Sequence, residues 1–212
     1  MALFADGSGD VAAWKGGGGD NSIYVQVDPF SGTNHRAGAA QTDQGPAVGN
    51  LRDRVYVAFK GVGADRQLYI TSSGANDLIN WTPPFAVPGA ATDAMPTMAT
   101  RDNVLYLAWK TPSQGLWWSW TTNGAPGTWA GGSNAILDGG SSLGPSLTAT
   151  RAGLALGWKG LNADPRVFYA RYEGGRWSPQ QEGPASASTA KSPSLTEAPG
   201  SGTVCGSVGP VA

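Results

Sequence analysis

The chain has 212 residues, 32 of them Gly and 15 Pro, with only 14% charged residues and a formal net charge of −1. So turn-rich and weakly charged a composition argues against long helices and gives no electrostatic reason to expect a nucleic acid or an anionic membrane as partner. A lone cysteine (Cys205) and a lone histidine (His35) exclude an internal disulfide and zinc sites built from these types, and no stretch approaches the ~18 apolar residues of a membrane span.

In chain order, one pattern recurs. VAAWKG ends at Gly16, VYVAFKG at Gly61, LYLAWKT at Thr111 and LALGWKG at Gly160, so the aromatic (Trp14, Phe59, Trp109, Trp158) returns about every 45–50 residues. Pro46, Pro96 and Pro145 open the later copies, each followed by a short strand. Tight turns come next at Arg52–Arg54, Arg101–Asn103 and Arg151–Gly153. Strict alternation then predicts a second strand, with Val55, Val57 and Phe59 on one face and Leu105, Leu107 and Trp109 repeating them. After the lysine comes a Gly-rich turn carrying Asp20, Asp65 or Asp164. Copy three has no such Asp and is shorter there. Third strands start at Ile23, Leu68, Leu116 and Val167, and a fourth is headed by Trp81, Trp129 or Trp177. Copy one has Asn34, His35 and Arg36 instead.

Four short antiparallel strands per repeat predict an all-β fold, a β-propeller of four-stranded antiparallel blades in one domain. The repeats run over about 1–45, 46–95, 96–144 and 145–192, with a partial fifth at 193–212 that stops after two strands. Such a tail could complete a blade shared between the chain ends. Alternatively, the ring is completed by a homo-oligomer or by a larger parent protein.

The run Gly144–Gly160, the Asp164 turn and Val167–Gly183, with their counterparts in copies two and three, resemble the WKG-type repeats of bacterial seven-bladed propeller lectins of the Photorhabdus kind. They are also similar to the wider sialidase-like, Asp-box propellers, although the Asp-box itself is degenerate here: Ala170–Trp177 keeps only Gly174 and Trp177 of it. The resemblance implies a propeller fold and several similar sugar sites near the loops between adjacent blades.

Each candidate site residue has a structural and a functional reading. Trp14, Trp109 and Trp158 alternate with core residues, and packing between blades accounts for them. Asp20, Asp65 and Asp164 fit Asx-type turns, or else carboxylates that accept sugar hydroxyls. Trp81, Trp129 and Trp177 close hairpins or stack on a sugar ring. Trp117 and Trp118 are adjacent on a strand and must point to opposite faces. Thr42, Thr92 and Ser141, with Ser142 and Thr189, lie in the connections that share a rim with the Asp loops, so Asp, Ser/Thr and Trp sets are expected at several blade junctions. Weak sites repeated on a rigid ring would give avidity.

No catalytic residue, metal site or cofactor is expected. There are only three Glu (Glu173, Glu182, Glu197), no pair of carboxylates is singled out, and no clustered D-x-D-x-D loop is present for calcium. The expected function is therefore a non-catalytic, lectin-like propeller that binds glycans. A fragment or degenerate relative of a sialidase-like glycoside hydrolase and a protein–protein interaction propeller are the alternatives. The N-terminus carries no visible signal peptide. Extracellular action is expected of a lectin and cytoplasmic action otherwise. If one junction differs from the others, copy three should form it.

Overall fold

The computed structural model describes residues 2–5, 10–28, 32–198 and 201–206, in strands, turns and loops without a helix. Side chains are described at all of these except 2–5, 131–138, 198 and 201–206. The first sheet holds β1 (Ala2–Ala5), β2 (Asp10–Lys15), β3 (Ser22–Val27) and β4 (His35–Gln41). The second holds β5 (Ala47–Leu51), β6 (Arg54–Lys60), β7 (Gln67–Gly74) and β8 (Phe85–Ala91). The third holds β9 (Thr97–Arg101), β10 (Val104–Lys110), β11 (Gly115–Thr121) and β12 (Ala130–Gly140). In the fourth, β13 (Ser146–Ala149) and β14 (Leu154–Lys159) lead to β15 (Val167–Glu173), which pairs with both β16 (Arg176–Trp177) and β17 (Gln181–Glu182). β18 (Ser194–Ala198) and β19 (Ser201–Gly206) form a two-stranded sheet, and residues 207–212 of the partial fifth copy lie outside the described residues.

All pairings of the named strands are antiparallel and, apart from β17 on β15, join consecutive strands, as expected when short turns connect them. At Asp102–Asn103 both central turn residues have positive φ (50° and 57°). That conformation matches the strand twist and closes the two-residue hairpin between Arg101 and Val104. The first strands follow one another, β1 against β5, β5 against β9, β9 against β13 and β13 against β18. The sheets therefore stand face to face around a common axis as the blades of a β-propeller.

Alternation decides what lies between blades. Val55, Val57 and Phe59 join Val11, Ala13, Ile23 and Val25 in the core between the first and second sheets. Ala58, Leu68 and Ile70, from the other face of the second sheet, meet Leu105, Leu107 and Trp109. A third cluster joins Leu116 and Trp118 to Leu154, Leu156 and Trp158. Each core is thus shared by two repeats, and one copy alone would leave its apolar faces in water. Burying each large side chain contributes about 1.5–3 kcal/mol.

Candidate functional site

The propeller has two ends. At the lysine end lie the loops between second and third strands and the connections from one blade to the next. At the hairpin end lie the turns between first and second strands and the loops between third and fourth.

At the lysine end the motif lysine is a clamp. Lys60 is only 3% exposed, and its Nζ donates to Asp43 Oδ1 (2.9 Å), Gly61 O (2.8 Å) and Gly63 O (2.9 Å). Asp43 belongs to the connection from the preceding blade, so the contact ties two blades together. Lys110 bonds Asp93 in the same way, whereas Lys159 finds the Ser142 hydroxyl at 3.2 Å. Burial pushes Asp43 upward, but the Lys60 ammonium and the Gly63 amide outweigh it and leave its carboxyl below the usual range.

The loop aspartates fold back over the motif. Asp20 and Asp65 accept the Ser22 and Gln67 amides (2.9 and 3.0 Å) and the Tyr24 and Tyr69 hydroxyls (2.9 and 3.0 Å). The Ser22 bonds, led by its amide, hold the Asp20 carboxyl below 3.8. Asp164 accepts the Arg166 amide (3.0 Å) and is forked by the Arg166 guanidinium, which lowers its carboxyl to about 2. This geometry explains the glycine of the motif. A Cβ at Gly61 would collide with the Asp65 carboxylate, and one at Gly160 would lie 2.7 Å from Asp164. Copy three lacks the Asp, carries Thr111 in place of the glycine, and uses the Thr111 hydroxyl to accept the Gly115 amide (3.0 Å).

Three expected sugar contacts need correction. Thr42, Thr92 and Ser141 are 0% exposed, and their hydroxyls accept the amides of Gln44, Ala94 and Leu143 (3.1, 3.1 and 3.2 Å). These side chains shape the connection and cannot meet a ligand.

The Asp loops and the Trp-headed strands also cannot share one site. Lys60 pairs with Leu68 and Arg54 with Gly74, so Asp65 and Trp81 sit at opposite ends of the eight-residue β7. At about 3.3 Å per residue this is a separation of some 25 Å. At the hairpin end each indole packs on the preceding blade: Trp81 in the first interblade core, Trp129 in the second and Trp177 in the third. Trp81 Nε1 donates to Leu78 O (2.8 Å), within a turn whose Asp77 carboxylate is held by Asn80 (3.0 Å). Trp117 and Trp118 do face opposite ways. Trp117 packs against the second sheet and Trp118 against the fourth, so neighbouring blades cover both.

Two of the cavities among the described residues bear on a site. One, of about 460 Å³, lies on the axis at the lysine end, where Pro46, Pro96, Pro145 and Pro193 open the first strands, and none of its described lining residues is Asp or Glu. The other, of about 520 Å³, lies at the hairpin end between the second and third blades. The second sheet gives it Arg54, Tyr56, Ser72 and Phe85, and the loop after β11 gives it Asn123 and Pro126. Tyr56 donates its hydroxyl to Asn123 O (3.3 Å). A Cβ on Gly124 (φ 71°) would strike that hydroxyl, so the loop closes on Tyr56 only with glycine there. Burial raises the Tyr56 hydroxyl above its ordinary value, and the adjacent Arg54 opposes the rise. The sequence reading missed this set. Its signal is departure from the repeat: Arg54 and Ser72 stand where copy three has Val104 and Trp120.

No family model and no curated protein matches this sequence. Solved structures do match. The Bacteroides ovatus xyloglucan PUL GH43B aligns with a TM-score of 0.62 and 16% identity over 87% of this chain and 40% of its own. The native Bacillus subtilis arabinanase gives 0.53 and 13%, over 82% and 71%. A mutant of the Aleuria aurantia lectin, in complex with Fucα1-6GlcNAc, gives 0.58 and 14%, over 87% and 66%. The chain shares their propeller fold. At 40% of the Bacteroides protein's length, it spans well under two thirds of that relative. Two expectations change. The likeness to Photorhabdus-type WKG lectins finds no support as a family. The exclusion of catalysis is overturned, because structures with this fold include glycoside hydrolases as well as a lectin.

Proposed function

We propose that the protein is a carbohydrate-active propeller related to the glycoside hydrolases, and that it holds a saccharide in the cavity between its second and third blades. The observation that carries this reading is the lining of that cavity. Phe85 and Pro126 offer apolar surface for the C–H face of a sugar ring, while Arg54, Ser72 and Asn123 bring a few fixed polar groups to its edge. Sugar sites combine these two kinds of surface, area for affinity and polar groups for orientation.

The hydrolases among the structural neighbours support cleavage as a second activity, at a place apart from that cavity. Glycoside cleavage uses two carboxyl groups about 5–9.5 Å apart. Asp43 and Asp93 occupy matching positions just before Pro46 and Pro96 at the lysine end, away from that cavity, and are the carboxylates to test first for a cleavage site there. The lysine contact keeps Asp43 ionised, the state a nucleophile or general base requires.

The test is a panel of xylo-, arabino-, β-1,3-galacto- and fucosylated oligosaccharides, read both for binding and for release of reducing ends. Binding of at least one class is expected. Cleavage, where it occurs, should be lost in Asp43→Asn or Asp93→Asn. A panel in which no saccharide is bound or cleaved contradicts the proposal.

A further inference from the structure

The cavity between the second and third blades holds a cation without a counter-ion. Arg54 is half-buried, and among the described residues no ion pair involves it. Its Nε and Nη2 both point to the Ser72 hydroxyl (3.3 and 3.0 Å). The Tyr56 hydroxyl beside it takes part of the remaining capacity, but a guanidinium has five N–H donors, more than these two hydroxyls accept, so donor capacity remains.

Arg36 also bonds one serine hydroxyl, that of Ser22 (2.6 Å), but it is exposed. The part-buried Arg171 lies over the Tyr169 ring rather than in a cavity with Arg54, and two further arginines meet acids. Arg101 bonds Asp102 and the Thr150 and Arg151 carbonyls, and Arg166 bonds Asp164 and Glu182. Those side chains complete loops or tie adjacent blades. Arg54 instead lines a cavity whose described walls include Tyr56, Ser72, Thr82, Phe85 and Asn123, with no carboxylate among them. The repeat gives no architectural reason for it either, because copies three and four carry Val104 and Gly153 at that position. The turn before it places Arg52 and Asp53 outside the cavity, both exposed, so their opposite charges roughly offset each other there.

Holding a cation partly out of water costs free energy unless an anion meets it, and arginine matches a carboxylate with two parallel N–H···O bonds. We propose that this cavity selects an acidic saccharide, a uronic acid residue whose carboxylate is forked by Arg54 while its ring lies on Phe85. The inference rests on the reading that the same cavity binds sugar, and narrows it to one chemical class.

The experiment uses the full chain and compares the methyl glycosides of glucuronic and galacturonic acid with those of glucose and galactose, by calorimetry and ligand-observed NMR. Each pair differs chiefly in a carboxylate replacing a hydroxymethyl group. The expected result is that at least one uronide binds about tenfold or more tighter than its neutral counterpart. The preference should shrink as salt is raised and vanish in Arg54→Gln. Arg54→Lys, which keeps the charge but not the fork, should retain only part of it. Melting of each variant like the parent keeps the comparison on binding.

Equal binding of uronide and neutral glycoside, or a preference unchanged in Arg54→Gln, overturns the acidic-sugar inference and leaves saccharide binding standing. Absence of binding by either class, together with a silent oligosaccharide panel, overturns both.

Discussion

The junction between the second and third blades and the junction between the third and fourth are built from the same strands at the same register, yet only the first holds the cavity described above. Tyr56 lies opposite Ser72 across β6 and β7, whereas its counterpart Tyr106 lies opposite Trp120 across β10 and β11. At the third–fourth junction Trp118 packs 4.8 Å from Tyr172 and edge-on at 5.5 Å to Trp177, with Tyr106 stacked at 6.2 Å. Aromatic area fills that junction and holds two blades together. At the second–third junction a serine and an arginine replace the large apolar groups, and solvent-accessible volume remains. One repeat scaffold therefore supplies both an adhesive joint and a recess, and the choice turns on a few positions.

The largest test of this contrast is Trp118→Ala. The indole is 7% exposed at the centre of the aromatic joint, so truncation should cost about 3–5 kcal/mol in urea unfolding without changing saccharide binding. Phe85→Ala in the recess should cost less, about 1–2 kcal/mol, because the ring is only partly buried, but it should weaken binding. Equal costs at the two sites would erase the distinction.

Gly124→Ala comes next. Its Cβ would meet the Tyr56 hydroxyl, and the residue has φ 71°, so the loss should be about 1–3 kcal/mol, with a displaced tyrosine visible in near-ultraviolet circular dichroism. Lys60→Met should cost about 1–2 kcal/mol, a figure reduced because its partner Asp43 is 32% exposed.

The smallest expected effect is pH-dependent. Asp164 is lowered from 3.8 to about 2 by Arg166, so its contribution to stability is fully present above pH 3.8 and disappears as pH falls through 2. The acid limb of the melting curve should be shallower in Asp164→Asn than in the parent.

The fold was legible because its signals are local and repeated. The spacing of Trp14, Phe59, Trp109 and Trp158 marks the unit, and strict alternation from Val55 to Phe59 marks the strand and its two buried faces. The site was less so. A single strand separates Asp65 from Trp81, and that strand alone puts them at opposite ends of the ring. Assigning both to one sugar overlooked a constraint already present in the order of elements. Thr42, Thr92 and Ser141 recur because a turn needs their hydroxyls, which repetition alone does not distinguish from a ligand's needs. The partners Asp43 and Asp93 of the motif lysines lie 17 residues earlier in the chain and become visible only once neighbouring blades meet. Arg54, Tyr56, Ser72 and Asn123 come from two repeats, at positions where the copies diverge, so no motif collects them.

The most direct measurement is a calorimetric titration of parent and Ser72→Trp with the saccharide class that the panel identifies. The substitution copies what the third sheet already carries at Trp120, so it should fill the recess while the ring stays folded, as checked by an unchanged far-ultraviolet spectrum and melting temperature. Saturable binding by the parent and none by Ser72→Trp is the predicted result. A folded Ser72→Trp protein that binds as the parent does would contradict the assignment of the sugar to this junction.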